Sequence, residues 1–557
     1  MNKKSLAVLL LFFCFHGNGQ SYHQFKKNQN NNSFVHSQVT LDVNNIKSFI
    51  WNTGVFNQDL SNSNSPGFYW PNNSFHTAIF TSGLCIGAYV NGELRIAAAS
   101  YTGEYVPGYS SNGQFYTDSR FKFYIINKGD NYINNPDWLN WGQMVQFGAP
   151  FIDANHNGTY EYYADTPGVR GAARTIFICL TDGDSTVHTS SEGFGGGTRP
   201  LFAEVHLTAW AYDNPGYQDM QFLKWDVINK NINPWHGAYF SIFCDPDLGN
   251  AGDDYEGCDS LRNLGYCYNG SNMDGNGTGR TYGIDPPAIG IAFLNCNNSG
   301  KMNNFTYWGP EAGGVPVCEQ DPVGATDAYN YMKGQKKDGT PYVIPFTNPP
   351  QTTLFGYSGD PELNSGWTDF QGRVQNCGGQ LTGNTQIPVP PSDVRFVMSI
   401  GSDNMAMNPG DTQVVQICQL IARGTNNLNS VTKLKQLADV AKQLCENNFI
   451  IGITPISTEI PKSFELSQNY PNPFNPSTKI RFSVPLLSGE GVSRRDGVVS
   501  LKVDDALGRE ITTLVNEQLK PGIYSVDWNA SNYPSGVYFY KLFTVSYSET
   551  KKMVLIK

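Results

Sequence analysis

Oxygen-bearing side chains at alternate positions mark the first place where this chain has the residues for chemistry. Residues 153–161 read Asp153-Ala154-Asn155-His156-Asn157-Gly158-Thr159-Tyr160-Glu161, the opening of a calcium-loop pattern. Asp153, Asn155 and Asn157 can converge on one hard cation while Gly158 permits the sharp turn. Thr159 would offer a backbone carbonyl, and Glu161 or Asp165 would complete the shell. Two of the first three ligands are neutral Asn, which lowers the expected affinity for Ca2+. An Asn/Gly-rich turn without an ion is the plainer alternative.

A second group is the acidic stretch that holds Asp245, Asp247, Asp253, Asp254 and Asp259, with Asn272 and Asp274 downstream. Carboxylates this crowded repel one another unless they are solvated, protonated or metal-bound. Ca2+ is the economical partner in an exported protein, and a solvated acidic loop is the alternative. A glycosidase-like pair would need two carboxyls facing a cleft at roughly 5–9 Å. Other enzyme signatures are missing: no HExxH, no GxSxG elbow and no Walker loop. Gly193-Phe194-Gly195-Gly196-Gly197 lacks the Lys of a phosphate loop, and Ser430-Val431-Thr432-Lys433 matches SxxK at chance level. His206 lies in a strand and reads as a structural side chain.

The elements that must carry these residues are mostly strands. Thr77–Ala99 holds two β-rich runs joined by Asn91-Gly92, a strong hairpin signal. Val205, Leu207, Ala209 and Ala211 share one face of a run, and Leu223, Trp225 and Val227 alternate with Lys224 and Asp226. Residues 175–180, 238–243 and 412–422 are further apolar or β-branched runs between Gly-, Asn- and Pro-rich loops. This spacing suits sandwiches or jelly rolls. One helix is expected over 430–446, capped by Asn429 or Ser430, with Val431, Leu434, Leu437, Ala438, Ala441, Leu444 and Cys445 at helical spacing. The fold class is all-β: a sandwich or jelly-roll-like body at 37–450 of one or two units with one packed helix, a linker at 451–463, and an Ig-like sandwich at 464–557.

Of 557 residues, 38 are basic and 48 acidic, a net charge of −10. The acidic excess lies in the body, since residues 464–557 carry 11 basic and 9 acidic groups. This balance argues against a nucleic-acid partner held by long-range attraction. Residues 1–19 read as a signal peptide, with Lys3 and Lys4 ahead of an apolar run and Gly17 and Gly19 before the cut. A polar, Asn/Gln-rich N-terminus at 20–36 follows, and no later stretch is apolar and long enough to span a bilayer. After that cut ten Cys remain: Cys85, Cys179, Cys244, Cys258, Cys267, Cys296, Cys318, Cys377, Cys418 and Cys445. An even number in an exported chain permits disulfides. Buried free thiols are the alternative, with Cys179 and Cys418 inside apolar strands.

The stretch Leu466-Ser-Gln-Asn-Tyr-Pro-Asn-Pro-Phe-Asn-Pro-Ser-Thr-Lys-Ile480 resembles the start of a type IX secretion sorting domain. Asp505-Ala-Leu-Gly-Arg509, Pro521-Gly-Ile-Tyr524, Ser535-Gly-Val-Tyr538 and the Lys551-Lys552 tail agree with it. The resemblance covers about 464–557. It implies a β-sandwich signal that takes cargo through an outer membrane and is then removed or exchanged for a surface anchor. It names the type IX machinery as a partner and the cell exterior, reached through the periplasm, as the destination. Pro471, Pro473 and Pro476 stiffen the approach to the first strand. In the body, Phe243-Cys-Asp-Pro-Asp-Leu-Gly-Asn-Ala-Gly-Asp-Asp-Tyr-Glu-Gly-Cys-Asp259 is similar to a block in large exported proteins with this signal, which implies a shared architecture and no activity.

These observations lead to a non-enzymatic secreted or surface protein, structural or adhesive, with Ca2+-stabilised loops. A polysaccharide-binding or polysaccharide-degrading protein is the alternative, with glycans as partners. A subunit of an extracellular filament or sheath, partnered by copies of itself, is the third reading.

Overall fold

The computed structural model describes residues 36–62, 65–155, 157–296, 299–310, 315–345, 347–383, 385–449, 453–457, 461–486, 498–519, 521–531, 533–544 and 547–557. The expected signal peptide at 1–19 and all but His36 of the polar N-terminus lie outside them.

Among the described residues the body is built from two nine-stranded antiparallel sheets. The first runs in the order Gln38–Leu41, Ser48–Trp51, Val55–Phe56, Thr81–Val90, Trp235–Asp245, Arg395–Gly401, Asn304–Trp308. Glu93–Ala97 and Ala406–Met407 are attached to Thr81–Val90 and Trp235–Asp245. The second runs Val106–Pro107, Arg174–Thr181, Ala203–Ala211, Met220–Asn229, Thr412–Ala422, Ala288–Phe293, Leu264–Asn269, Asp254–Asp259, with Tyr124–Asn127 attached to Arg174–Thr181.

Side-chain alternation decides which face of each strand enters the core. In Met220–Asn229, Leu223, Trp225 and Val227 join the central cluster, as do Val205, Leu207, Ala209 and Ala211. Phe222 and Trp210 point the other way, into a separate cluster beneath a helix. In Trp235–Asp245, Phe240, Ile242 and Cys244 face the centre, while Tyr239 and Phe243 face outward. Apolar residues from both sheets meet in that central cluster, so the expected sandwich is present. Asn91 and Gly92 carry φ of 53° and 78° in the hairpin between Thr81–Val90 and Glu93–Ala97. Positive φ at both central residues is the geometry that matches strand twist.

Helix Asn427–Glu446 buries Val431, Leu434, Ala438, Ala441, Leu444 and Cys445 on the outer face of the second sheet. Its cap is Asn426, whose side chain accepts from Asn429 N, not Asn429 or Ser430 as expected. Ser430 Oγ instead donates to Pro286 O at 2.8 Å and to Asn426 O at 3.0 Å, one turn back. A second helix, Ala325–Met332, covers the outer face of the first sheet with Ala328, Tyr329, Tyr331 and Met332. The single expected helix is thus joined by Ala325–Met332 and by the shorter Pro136–Asn140 and Gly142–Val145, all too short to give a readable periodicity.

Two disulfides join Cys296 to Cys445 and Cys318 to Cys377. Cys85, Cys179, Cys244, Cys258, Cys267 and Cys418 are buried free thiols. Both expected fates of the cysteines therefore occur.

The C-terminal module has two four-stranded sheets around its own core of Ile480, Phe482, Leu501, Val503, Val526, Trp528, Tyr540 and Leu542. The stretch read as a linker contributes Ile453–Ser457, which pairs with Gly522–Asn529. β-Branched Ile453, Thr454 and Ile456 suit a strand, and the pairing breaks register between Pro455 and Ser457. Proline is tolerated at such an edge because it has no N–H to contribute to the ladder.

Candidate functional site

The Asp153–Asp165 loop follows Phe151–Ile152 and lies beside the short helices Pro136–Asn140 and Gly142–Val145. Asp153 accepts from Asn157 N at 3.2 Å and Gly158 N at 2.7 Å. Gly158 sits at φ +77°, so the chain turns there at no steric cost. Asn155 Oδ1 accepts from Asn157 N at 3.0 Å, and Asn157 Oδ1 from Thr159 N at 2.7 Å. The amide groups of Asn155 and Asn157 both donate to Glu161 Oε2, at 2.7 and 3.2 Å. Buried Asp165 closes the loop, accepting from Ala154 N at 3.0 Å and Glu161 N at 2.7 Å. Asp153, Asn155, Asn157 and Glu161 are therefore gathered at one turn, with Asp165 holding both ends and Thr159 present through its backbone. In this arrangement the Asp153, Asn155 and Asn157 oxygens accept backbone N–H groups, and the two Asn amide groups are turned as donors to Glu161.

Exposed rings border this loop. Tyr132 packs edge-on against Tyr162, and Tyr162 against Tyr163. Tyr163 Oη donates to Glu161 Oε1 at 2.9 Å. Trp138 Nε1 donates to Tyr162 O at 2.9 Å, which pins this patch to the helix. Tyr163 is 65% exposed, and Ile133 and Leu139 are also exposed.

The second predicted group divides in three. Asp245 ends Trp235–Asp245 and meets Asp247 and Asp393, with an oxygen from each within 4.8 Å of the others. Arg395 lies beside them: its Nε is 3.6 Å from Asp245 Oδ2 and its Nη1 3.3 Å from Asp393 Oδ1. Tyr101 Oη donates to Asp245 Oδ2 at 2.8 Å. Burial pushes Asp245 well above the carboxylate range and Asp247 up to about 7, and neighbouring carboxylates add to both.

Asp253, Asp254 and Asp274 tie down the next loop. Asp254 accepts from Leu248 N at 3.1 Å, Asp253 from Asn269 Nδ2 at 2.8 Å, and Asp274 from Asn250 N at 3.0 Å and Tyr282 N at 2.5 Å. Gly249 permits that last arrangement: a Cβ there would stand 1.9 Å from Asp274 Oδ2, and its φ is +69°. Asp259 joins neither group. It pairs with Arg262 at 2.8 Å, and Arg262 also holds Asp439 of the long helix.

Two buried clusters had no signal in the sequence, because they unite single residues from distant segments. In one, Glu192 accepts from the backbone N–H groups of Ser100, Tyr101, Thr102 and Gly103 and from Thr102 Oγ1. Glu104 nearby accepts from Ala98 N and Gly197 N, which anchors the glycine-rich loop. Burial, with Glu192 next, pushes Glu104 up to about 8. His188 Nε2 donates to Asp182 O at 2.7 Å, leaving Nδ1 at 3.5 Å from Glu104 Oε2. In the other, Glu319 pairs with Lys336 at 2.7 Å and Arg373 at 2.5 Å, all three buried. Glu256 and Asp369 close by are pushed well up, chiefly by burial. The cavity bounded by Glu256, Tyr307, Trp308, Glu319 and Arg373 measures about 20 Å³, room for one water and not for a sugar ring.

Residues 468–557 match the family model of the secretion system C-terminal sorting domain. This chain is a type IX secretion cargo with a C-terminal sorting domain. It is accordingly a protein exported to the cell surface or the extracellular space, and the secretion machinery is its partner. No helix among the described residues is long and apolar enough to cross a membrane. No curated protein matches the chain. Among solved structures, a polysaccharide lyase is similar at 8% identity and a TM-score of 0.17, covering 63% of this chain and 34% of that one. The chain thus spans about a third of that protein. PorZ, a surface component of the type IX secretion system of Porphyromonas gingivalis, is similar at 11% identity and a TM-score of 0.13, covering 92% of this chain and 74% of PorZ. Likeness at these scores carries no argument about fold or activity.

Proposed function

We propose that this cargo is a non-enzymatic surface or secreted protein with a structural or adhesive role, whose body presents a Ca2+-stabilised loop beside an adhesive aromatic patch. The gathering of Asp153, Asn155, Asn157 and Glu161 at one turn, with exposed Tyr132, Tyr162 and Tyr163 around it, carries this reading. Calcium would replace amide and backbone N–H donors at the Asp153 and Glu161 carboxylates. The rings next to it would then be held in one arrangement. Rings with exposed faces bind apolar or sugar surfaces, and their polar tips stay wet. Asn131, Asn134 and Asn140 nearby offer amide groups, which favours glycans as the second reading of what the patch meets.

The mature full-length chain tests this directly. EDTA is expected to lower its melting temperature, and Asp153→Ala to reduce that response by the loop's share. An unchanged melting curve in EDTA would remove calcium from the loop. Light scattering in Ca2+ and then EDTA checks the filament alternative, which requires large Ca2+-dependent assemblies.

A further inference from the structure

We infer that Asp245, Asp247 and Asp393 bind a divalent cation of the Ca2+ class at the end of the first sheet, a site separate from the Asp153–Asp165 loop. This deepens the calcium reading above by adding a second site, and the two stand or fall separately.

Strand geometry builds the site. Asp245 is the last residue of Trp235–Asp245, and Arg395 opens the neighbouring strand Arg395–Gly401. The register pairs Cys244 with Phe396, so the two chain segments leave the sheet side by side. Asp247 follows Asp245 by two residues and Asp393 precedes Arg395 by two. One carboxylate oxygen from each of Asp245, Asp247 and Asp393 lies within 4.8 Å of the other two. Oxygens at 2.3–2.6 Å from one Ca2+ stand up to about 5 Å apart, so this spread fits a shared ion.

A separate observation points to a ligand. The Asp245 side chain is 5% exposed, and its Oδ1 is buried without a hydrogen-bond partner. A buried carboxylate oxygen without a partner is costly. Its other oxygen is already engaged by Tyr101. Charge agrees with this. Asp321 also faces Arg395, at 3.6 Å, so three carboxylates, those of Asp245, Asp393 and Asp321, meet one guanidinium. Arg395, with Arg280 also acting on Asp247, offsets part of the charge of this group, and a divalent ion would offset the rest. Asp247 and Asp393 are only half-buried, which leaves the ion a way in. The backbone and water would complete a shell of six to eight oxygens.

Calorimetric titration of the mature chain with CaCl2 separates the outcomes, with Tb3+ luminescence as a second readout. Trp308 Nε1 donates to Asp321 at 2.9 Å and Trp138 Nε1 to Tyr162 O at 2.9 Å, so an indole stands near each site and both are expected to sensitise Tb3+. Two Ca2+ per chain are expected. Asp393→Asn should weaken one of them at least about tenfold, since affinity follows the ligand charge, and should remove the cluster's part of the Trp-sensitised Tb3+ emission. Asp153→Ala should remove the other ion and leave the cluster's part of that emission intact. If Asp393→Asn leaves stoichiometry, affinity and emission unchanged, the cluster is an Arg395-neutralised structural group and the inference is wrong, whatever the loop does. Loss of one ion in Asp393→Asn with no change in Asp153→Ala would keep this site and sink the loop. Asp247→Asn, at a half-exposed position, repeats the test should Asp393→Asn fail to fold.

Discussion

Glu104 shows what a single buried carboxyl imposes on the molecule. An ordinary glutamate loses its proton near pH 4.5, whereas burial and the Glu192 carboxylate move Glu104 up to about 8. Between those values the folded chain holds a proton that the unfolded chain has released. Its stabilising share is fully present below about pH 4.5, falls as pH rises toward 8, and is gone above. That share is on the order of a few kcal/mol. His188 Nδ1 faces Glu104 Oε2 at 3.5 Å. Melting temperature is therefore expected to decline from pH 5 to pH 8. Glu104→Gln should flatten the decline, at the cost of the hydrogen bond from Ala98 N. A profile that is the same in both proteins would show that another group sets the slope. The loop residues Asp153, Asn155, Asn157 and Glu161 were legible because a cation needs oxygens at alternate positions and a glycine at the turn. Asp393 was not, because nothing in its neighbours marks a ligand; only the register of two strands brings it to Asp245.

At the scale of elements, the long helix and the strand it covers depend on one close approach. Leu434 is fully buried, and a Cβ on Gly290 would lie 3.0 Å from Leu434 and 2.9 Å from the carbonyl of Gly265. Leu434→Ala should destabilise the chain by about 2–5 kcal/mol, the usual cost of a cavity in a packed core. Gly290→Val should destabilise it by overpacking. Chemical denaturation measures both, and a Gly290→Val protein as stable as the parent would contradict the packing described here. The helix and its apolar stripe were readable from periodicity. Its start was not, because Asn426, Asn429 and Ser430 all have capping chemistry and the choice rests on tertiary bonds such as Ser430 Oγ to Pro286 O. Strand Ile453–Ser457 reads as linker in the sequence because Gly452, Pro455 and Pro461 look like punctuation. A C-terminal module beginning at 453 is expected to melt higher than one beginning at 464, since only the first keeps the strand against Gly522–Asn529.

The whole molecule divides its labour along the chain. The C-terminal module has its own core and carries the export signal, and the loop and cluster proposed to bind Ca2+ lie in the body. Sandwich architecture was legible because alternation over long strands reports which residues face inward, as in Leu223, Trp225 and Val227. The order of eighteen strands in two sheets was not, since pairing such as Met220–Asn229 with Thr412–Ala422 joins segments far apart in sequence. Protein recovered from the cell surface or the medium is expected to end near residues 455–463, which mass spectrometry of its C-terminus would check; intact chains there would make the C-terminal module a resident part of the protein.

Surface retention tests the adhesive reading most directly. The mature chain would be passed over an immobilised apolar surface and over immobilised surface polysaccharide, in Ca2+ and then in EDTA, beside Asp153→Ala and a Tyr162→Ala/Tyr163→Ala double variant. The account predicts retention in Ca2+, release in EDTA, and loss of retention in both variants while their folds are kept. Equal retention of all three proteins with and without Ca2+, or no retention of any, would contradict it.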